Sequence, residues 1–268
     1  MILRIVVYCL LGGLCLTLAA MGAGNAGWWW LSGCLLAAAF VPVARFGPRG
    51  ALRQFAVIAP VLLIVSHLCT WSEALIFLPR AMPDPWGALT GGAVLYVIVA
   101  LALASLAALL RLTRPNGGTV EHRTAAAAAL MVVVSGMVYA LAYLVFGAIT
   151  YFFFTRPYYP EALQVVERLG LWLWAIQIGR GVLMTLAVLP AIYTLRLGRW
   201  PAALATGALL WVAGGLAPLI PPSEFMSATQ RIMHIVEILT QNATLGIAAV
   251  LLLRPRGASL RALSAAPA

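Results

Sequence analysis

The stretch RIMHIVEILTQN, Arg231 to Asn242, sets a guanidinium, an imidazole, a carboxylate and two amides into an otherwise apolar run. Arg231 offers fixed positive charge with planar donors suited to a carboxylate or phosphate, and His234 beside Glu237 can take up and release a proton near neutral pH. Residues of the same kinds recur in two other apolar runs, His67 and Glu73 in VSHLCTWSEALIF and Gln177 and Arg180 in WAIQIGRGV. Groups of this chemistry can hold an anion, hand on a proton, or act as general acid and base.

Their spacing decides whether they could act together. At a helical pitch of about 100° per residue, Ser227, Gln230, Arg231, His234, Glu237, Gln241 and Asn242 fall within an arc of about 140°. Ser66, His67, Thr70 and Glu73 share about 120°, and Ser135, Tyr139, Tyr143 and Thr150 about 80°. Gln177 and Arg180 are three apart and share a face. Four helices with one polar stripe each are expected to surround a common interior.

Counting about 1.5 Å per residue from the outer ends places Glu73 and Arg231 at about 8 to 9 Å, Arg180 and His234 at about 12 to 14 Å, and Glu237 and His67 at about 16 to 18 Å. Matching depths predict two ion pairs, Glu73 with Arg231 and Arg180 with Glu237. These pairs are expected to line a cavity that opens to the external side and narrows at His67 and Gln241, supported by Gln177, Tyr139, Tyr143 and Asn242.

The elements that must carry these residues follow from composition. The 268 residues are 63% hydrophobic and 9% charged, with a mean hydropathy of +1.00. Apolar runs of about 20 residues, the length that crosses a bilayer, recur from end to end. The chain reads as an all-α, polytopic transmembrane bundle embedded in a lipid bilayer. Eight spans are expected, at 5–21, 28–44, 55–79, 90–112, 125–154, 171–193, 202–220 and 226–253. They form a single membrane domain with a short basic tail at 254–268. The first run also resembles a signal peptide, but it is long for an h-region and its basic n-region is thin, so it reads as a span.

Loop arginines set the orientation. Twelve lie on one side, from Arg4 through Arg45, Arg111, Arg123 and Arg196 to Arg261, against Arg80, Arg156 and Arg168 on the other. Both termini are therefore expected in the cytoplasm of a protein of the cell (inner) membrane. Trp28 to Trp30 and YFFFTRPYYP from Tyr151 fall at external boundaries, where aromatic rings anchor, and PEALQVVERLG suggests a short helix on the outer surface.

Several classes of function are disfavoured. The net charge of +10 is spread over short loops, so nucleic acid is not an expected partner. No phosphate-binding GxxxxGK[ST] loop exists, nor an HExxH or Asp-rich motif. Cys9, Cys15, Cys34 and Cys69 have no metal-ligand spacing. His234 and Glu237 lack the second motif of a di-metal bundle, and the two intramembrane histidines lie at different expected depths, so neither metal nor haem is expected.

The leading expectation is binding or transport of a small anionic solute or a lipid headgroup, linked to protons through His67, His234 or Glu237. The alternative is a membrane-embedded enzyme that uses His/Glu acid-base chemistry on a lipid or lipid-linked substrate. A third class is a non-catalytic assembly or sensory component working beside partner subunits. Polar residues inside bundles also serve as plain interhelical links worth about 1 kcal/mol or less each, which is the simpler reading for the isolated Ser, Thr, Tyr and Asn residues.

Overall fold

A backbone in hydrocarbon must satisfy its own hydrogen bonds, and the long apolar runs do so as helices. In a computed structural model, which describes residues 1–21, 24–77, 82–114, 120–159 and 162–255, eight helices are long and apolar enough to span a membrane. They are α1 (Ile2–Ala19), α2 (Ala26–Phe46), α3 (Ala51–Phe77), α4 (Pro85–Leu109), α5 (Ala125–Thr155), α7 (Leu171–Thr194), α8 (Arg199–Leu219) and α9 (Ala228–Leu253). Between α5 and α7 lies the short amphipathic α6, Ala162–Leu169. The chain is an all-α, multi-pass helical membrane protein. Arg80, Arg256, Arg261 and most of the expected basic tail lie outside the described residues.

Local chemistry starts several of these helices. Asp84 accepts from the Gly87 amide at 2.9 Å ahead of Pro85, which supplies a ready-made first turn. Ser227 and Gln230 form a reciprocal capping box that opens α9. Gly170, at φ 51° and ψ −125°, takes a positive-φ conformation open chiefly to glycine, and it separates α6 from α7.

Small residues let the helices approach. A Cβ on Gly246 of α9 would sit 2.6 Å from the Cα of Gly207 on α8, and one on Gly181 of α7 would sit 2.8 Å from the Cα of Gly136 on α5. Gly33 of α2 meets Gly13 of α1 in the same way. In lipid, where apolar burial gives little drive between helices, such backbone contact is a main source of association. Through these contacts α1 packs on α2, α8 on α9, and α5 on both α7 and α9, while α3 touches α4, α7 and α8.

Three helices widen locally into π-turns, at Val61–Leu68 in α3, Tyr151–Thr155 in α5 and Val212–Leu216 in α8. A π-turn adds a residue to the turn and shifts which side chains face the neighbours. Two of these segments, in α3 and α8, contribute Val65 and Gly214 to the cavity described below.

The end of the bundle that carries most loop arginines is tied together by them. Arg254 is 2% exposed and donates to the carbonyls of Ile192, Leu195 and Leu197, at 2.7 Å for Leu195 and 2.8 Å for Leu197. Arg196 donates to Gly47 O at 2.6 Å, Arg123 to Leu252 O at 2.6 Å, and Arg199 to Leu251 O. Each acceptor lies in the last turn of a helix or just beyond it, where carbonyls have no partner within the helix and the helix dipole favours a cation. We call this the basic end and the opposite one the aromatic end.

The contact between α8 and α9 is the most exacting of the glycine pairs. Gly246→Val should lower stability by about 1 to 3 kcal/mol, the usual cost of overpacking. Gly179→Ala, where an added Cβ meets nothing within 4 Å, should leave it unchanged. Thermal unfolding in detergent distinguishes the two.

Candidate functional site

The wide turns of α3 end just before Cys69, and the regular helix that follows carries Glu73 towards α7. There Glu73 Oε2 meets Arg180 Nη2 at 2.8 Å. Tyr143 of α5 donates to the other Glu73 oxygen at 3.3 Å, and Arg180 donates through Nη1 to Gln177 Oε1 at 3.1 Å. The guanidinium also lies 5.8 Å from the ring centres of both Tyr139 and Tyr143, within cation–π range. Arg180 is thus held by a carboxylate, an amide and two aromatic rings, as a buried charge must be. Among the described residues, its buried Nε has no hydrogen-bond partner.

A second polar cluster stands on α9. His234 Nδ1 lies 3.1 Å from Glu237 Oε2, and Gln241 donates to Glu237 Oε1 at 3.0 Å. The other imidazole nitrogen, Nε2, lies 3.0 Å from the hydroxyl of Tyr159, in the loop between α5 and α6 at the aromatic end. Gly147 of α5 leaves room for the carboxylate, since a Cβ there would come 3.3 Å from Glu237 Oε1. Burial pushes the Tyr159 phenol above its ordinary range, with a hydrogen bond to Gln230 pulling the other way, so it remains a neutral hydroxyl at pH 7.

Five helices line a small, partly open cavity of about 10 Å³, roughly the room one water needs. Its wall comprises Val65, Cys69, Thr70 and Glu73 of α3, Tyr139 of α5, Arg180 and Met184 of α7, Gly214 of α8, and Ile238, Gln241 and Asn242 of α9. Asn242 also donates to Leu210 O at 3.0 Å, which ties α9 to α8 beside Gly214. The cavity therefore brings the Glu73–Arg180 pair together with Gln241, the residue that reaches Glu237.

Two of the expected arrangements are corrected. The pairing of charges is exchanged: Glu73 takes Arg180, while Glu237 is met by His234 and Gln241. Arg231 turns away to the end of α8, donating through Nη1 to the carbonyls of Ile220 at 3.0 Å and Pro221 at 2.6 Å. Those carbonyls sit about ten residues back along the chain at a helix C-terminus, the position where a cation is most readily held.

His67 does not narrow the cavity. It faces α4, where Nε2 lies 2.6 Å from Leu89 O, its ring lies 5.8 Å from that of Tyr96, and Gly92 makes room for it. An arc of about 120° is wide enough to meet two neighbouring helices, so His67 and Glu73 part company across it. Gln241, Gln177, Tyr139, Tyr143 and Asn242 lie where the polar stripes converge. Nothing in the sequence separates Tyr159 from the interfacial aromatics around it, and Cys69, Met184 and Gly214 carry no polar signal.

Fold and site together define a class, a multi-pass helical membrane protein with a compact intramembrane ion-pair cluster. No protein-family model, curated protein or solved structure matches the chain. Among the described residues, no three of His, Cys, Asp and Glu gather as a metal site would require.

The cap on α8 and the pair at Glu73 should respond differently to truncation. Arg231→Met leaves carbonyls without a donor and should cost about 1 to 3 kcal/mol of stability. It should leave the coupling between Glu73 and Arg180 intact, as should His67→Phe. Denaturation midpoints of each variant, alone and in cycles with Glu73→Gln and Arg180→Gln, check this.

Proposed function

We propose that this protein is a carrier of the cell (inner) membrane that binds a small anion and a proton together, one integral membrane domain with both termini in the cytoplasm. The observation that carries this reading is the Glu73 carboxylate seated on Arg180 at the wall of the cavity. While Glu73 is ionised it occupies the guanidinium. A proton on Glu73 removes that competing charge, and Arg180, with its unpartnered Nε, can then take the oxygens of a solute carboxylate or phosphate. Loss of the proton restores the pair and displaces the anion, so binding of each favours the other.

The size of the cavity supports a small anion over a lipid headgroup, because the solute gains space chiefly by replacing the Glu73 carboxylate. Glu73, Arg180 and Glu237 include one more carboxylate than guanidinium, which also favours uptake of a proton. The orientation rests on the loop arginines, although several of them also cap helices at the basic end. A second reading, acid-base catalysis, is favoured by one observation, the His234 imidazole oriented by Glu237.

Transport is tested in proteoliposomes loaded with a pH-sensitive dye and offered inorganic phosphate or small monocarboxylates. The wild type should acidify the lumen with at least one of these solutes, Arg180→Gln should match protein-free vesicles, and Glu73→Gln should bind the solute without dependence on pH. Uptake unchanged by Arg180→Gln would remove the reading. For orientation, Ser223→Cys in an otherwise cysteine-free chain should react with an impermeant maleimide in intact cells, whereas Arg53→Cys should not; the reverse pattern would invert the topology.

A further inference from the structure

The carrier reading requires a route by which protons reach the cavity, and the structure holds a hydrogen-bonded row that leads there from the aromatic end. Tyr159 stands outside the spans, His234 follows at 3.0 Å, Glu237 at a further 3.1 Å, and Gln241 at 3.0 Å from the other carboxylate oxygen. Gln241 and Glu73 both belong to the cavity wall. With the carboxylate ionised and the imidazole neutral, the geometry suits one arrangement of protons. Tyr159 donates to Nε2 and Nδ1–H donates to Glu237, so both of these hydrogens point inward, while the Gln241 amide donates to the other Glu237 oxygen from the cavity side.

We propose that Tyr159, His234 and Glu237 form a proton relay from the aromatic end to the Glu237 carboxylate, which Gln241 joins to the cavity wall, a deepening of the carrier reading above. In one passage, a proton from water binds the Tyr159 oxygen as the Tyr159 hydroxyl proton moves to His234 Nε2. The proton on Nδ1 then moves to Glu237 Oε2. The balance is one proton taken from water and one carboxylate neutralised, with the imidazole left as the other neutral tautomer. Imidazole is suited to this because it can accept at one nitrogen while releasing at the other.

The groups around His234 fit that task. Its own helix supplies Glu237, the α5–α6 loop supplies Tyr159, and Glu73 of α3 acts on it electrostatically. On the α8 side the neutral Trp211 indole donates to Ile235 O at 3.1 Å. No positive group is among these contacts, and Arg231, three residues away on α9, is engaged by the carbonyls at the end of α8. Glu73 is balanced by Arg180, so the charge that draws a proton inward is the Glu237 carboxylate at the inner end of the row.

The test is a rapid acid jump on the full chain in vesicles, followed by infrared absorption of protonated carboxyl groups, with the Glu237 band identified by its loss in Glu237→Gln. The wild type should show that band rising. Tyr159→Phe should slow the rise at least about tenfold at unchanged final amplitude, since positioned proton transfer is commonly worth more than that. His234→Asn should slow it similarly, with unfolding midpoints confirming that both variants fold. An unchanged rate in folded Tyr159→Phe, or a wild type without the Glu237 band, would overturn the relay. A slowed band in Tyr159→Phe, together with solute uptake indifferent to Arg180→Gln, would retain the relay and reject the carrier reading.

Discussion

A guanidinium inside a bundle surrounded by hydrocarbon has to be met by oxygen, and Arg180 imposes that requirement on three helices at once. It takes a carboxylate from α3, an amide from its own helix and two rings from α5. Removing charge from water costs several kcal/mol per ion even after relaxation, so none of these contacts is free to drift while Arg180 remains charged. The wide turns in α3 and the Gly136–Gly181 contact between α5 and α7 are the backbone devices that bring the partners within reach. The cavity follows, since it is the space left where Glu73, Arg180 and Gln241 converge.

The same requirement explains five further arginines, with a different outcome. At the basic end Arg123, Arg196, Arg199 and Arg254 meet backbone carbonyls, and Arg231 does so at the aromatic end. These cations close helix termini, where partial negative charge is already present. Arg180 differs in being satisfied by another side chain, and a carboxylate can be neutralised by a proton whereas a carbonyl cannot. That difference makes the Glu73–Arg180 contact exchangeable while the caps are permanent.

Eight apolar runs of spanning length made the helices legible, because hydrocarbon thickness and the helical rise leave little choice. The polar stripes were legible too, and Glu73, Arg180, Glu237 and Gln241 do lie on faces that converge. The choice of partner was hidden, since a projection at fixed pitch gives the face of one helix and says nothing about its rotation against another. Arg231 shows a second reason: its depth matched that of Glu73, yet carbonyls at the end of α8 lay closer along the chain. Tyr159 was hidden for a third, as nothing in its spacing separates it from Tyr158 or from the anchoring aromatics before it.

Everything above turns on which arginine holds Glu73, and double-mutant cycles measured by unfolding in detergent ask that directly. Glu73→Gln combined with Arg180→Gln should show a coupling free energy above about 1 kcal/mol, within the range found for charges in contact. The same change combined with Arg231→Gln should be additive to within about 0.5 kcal/mol. Strong coupling of Glu73 to Arg231 with none to Arg180 would contradict the arrangement.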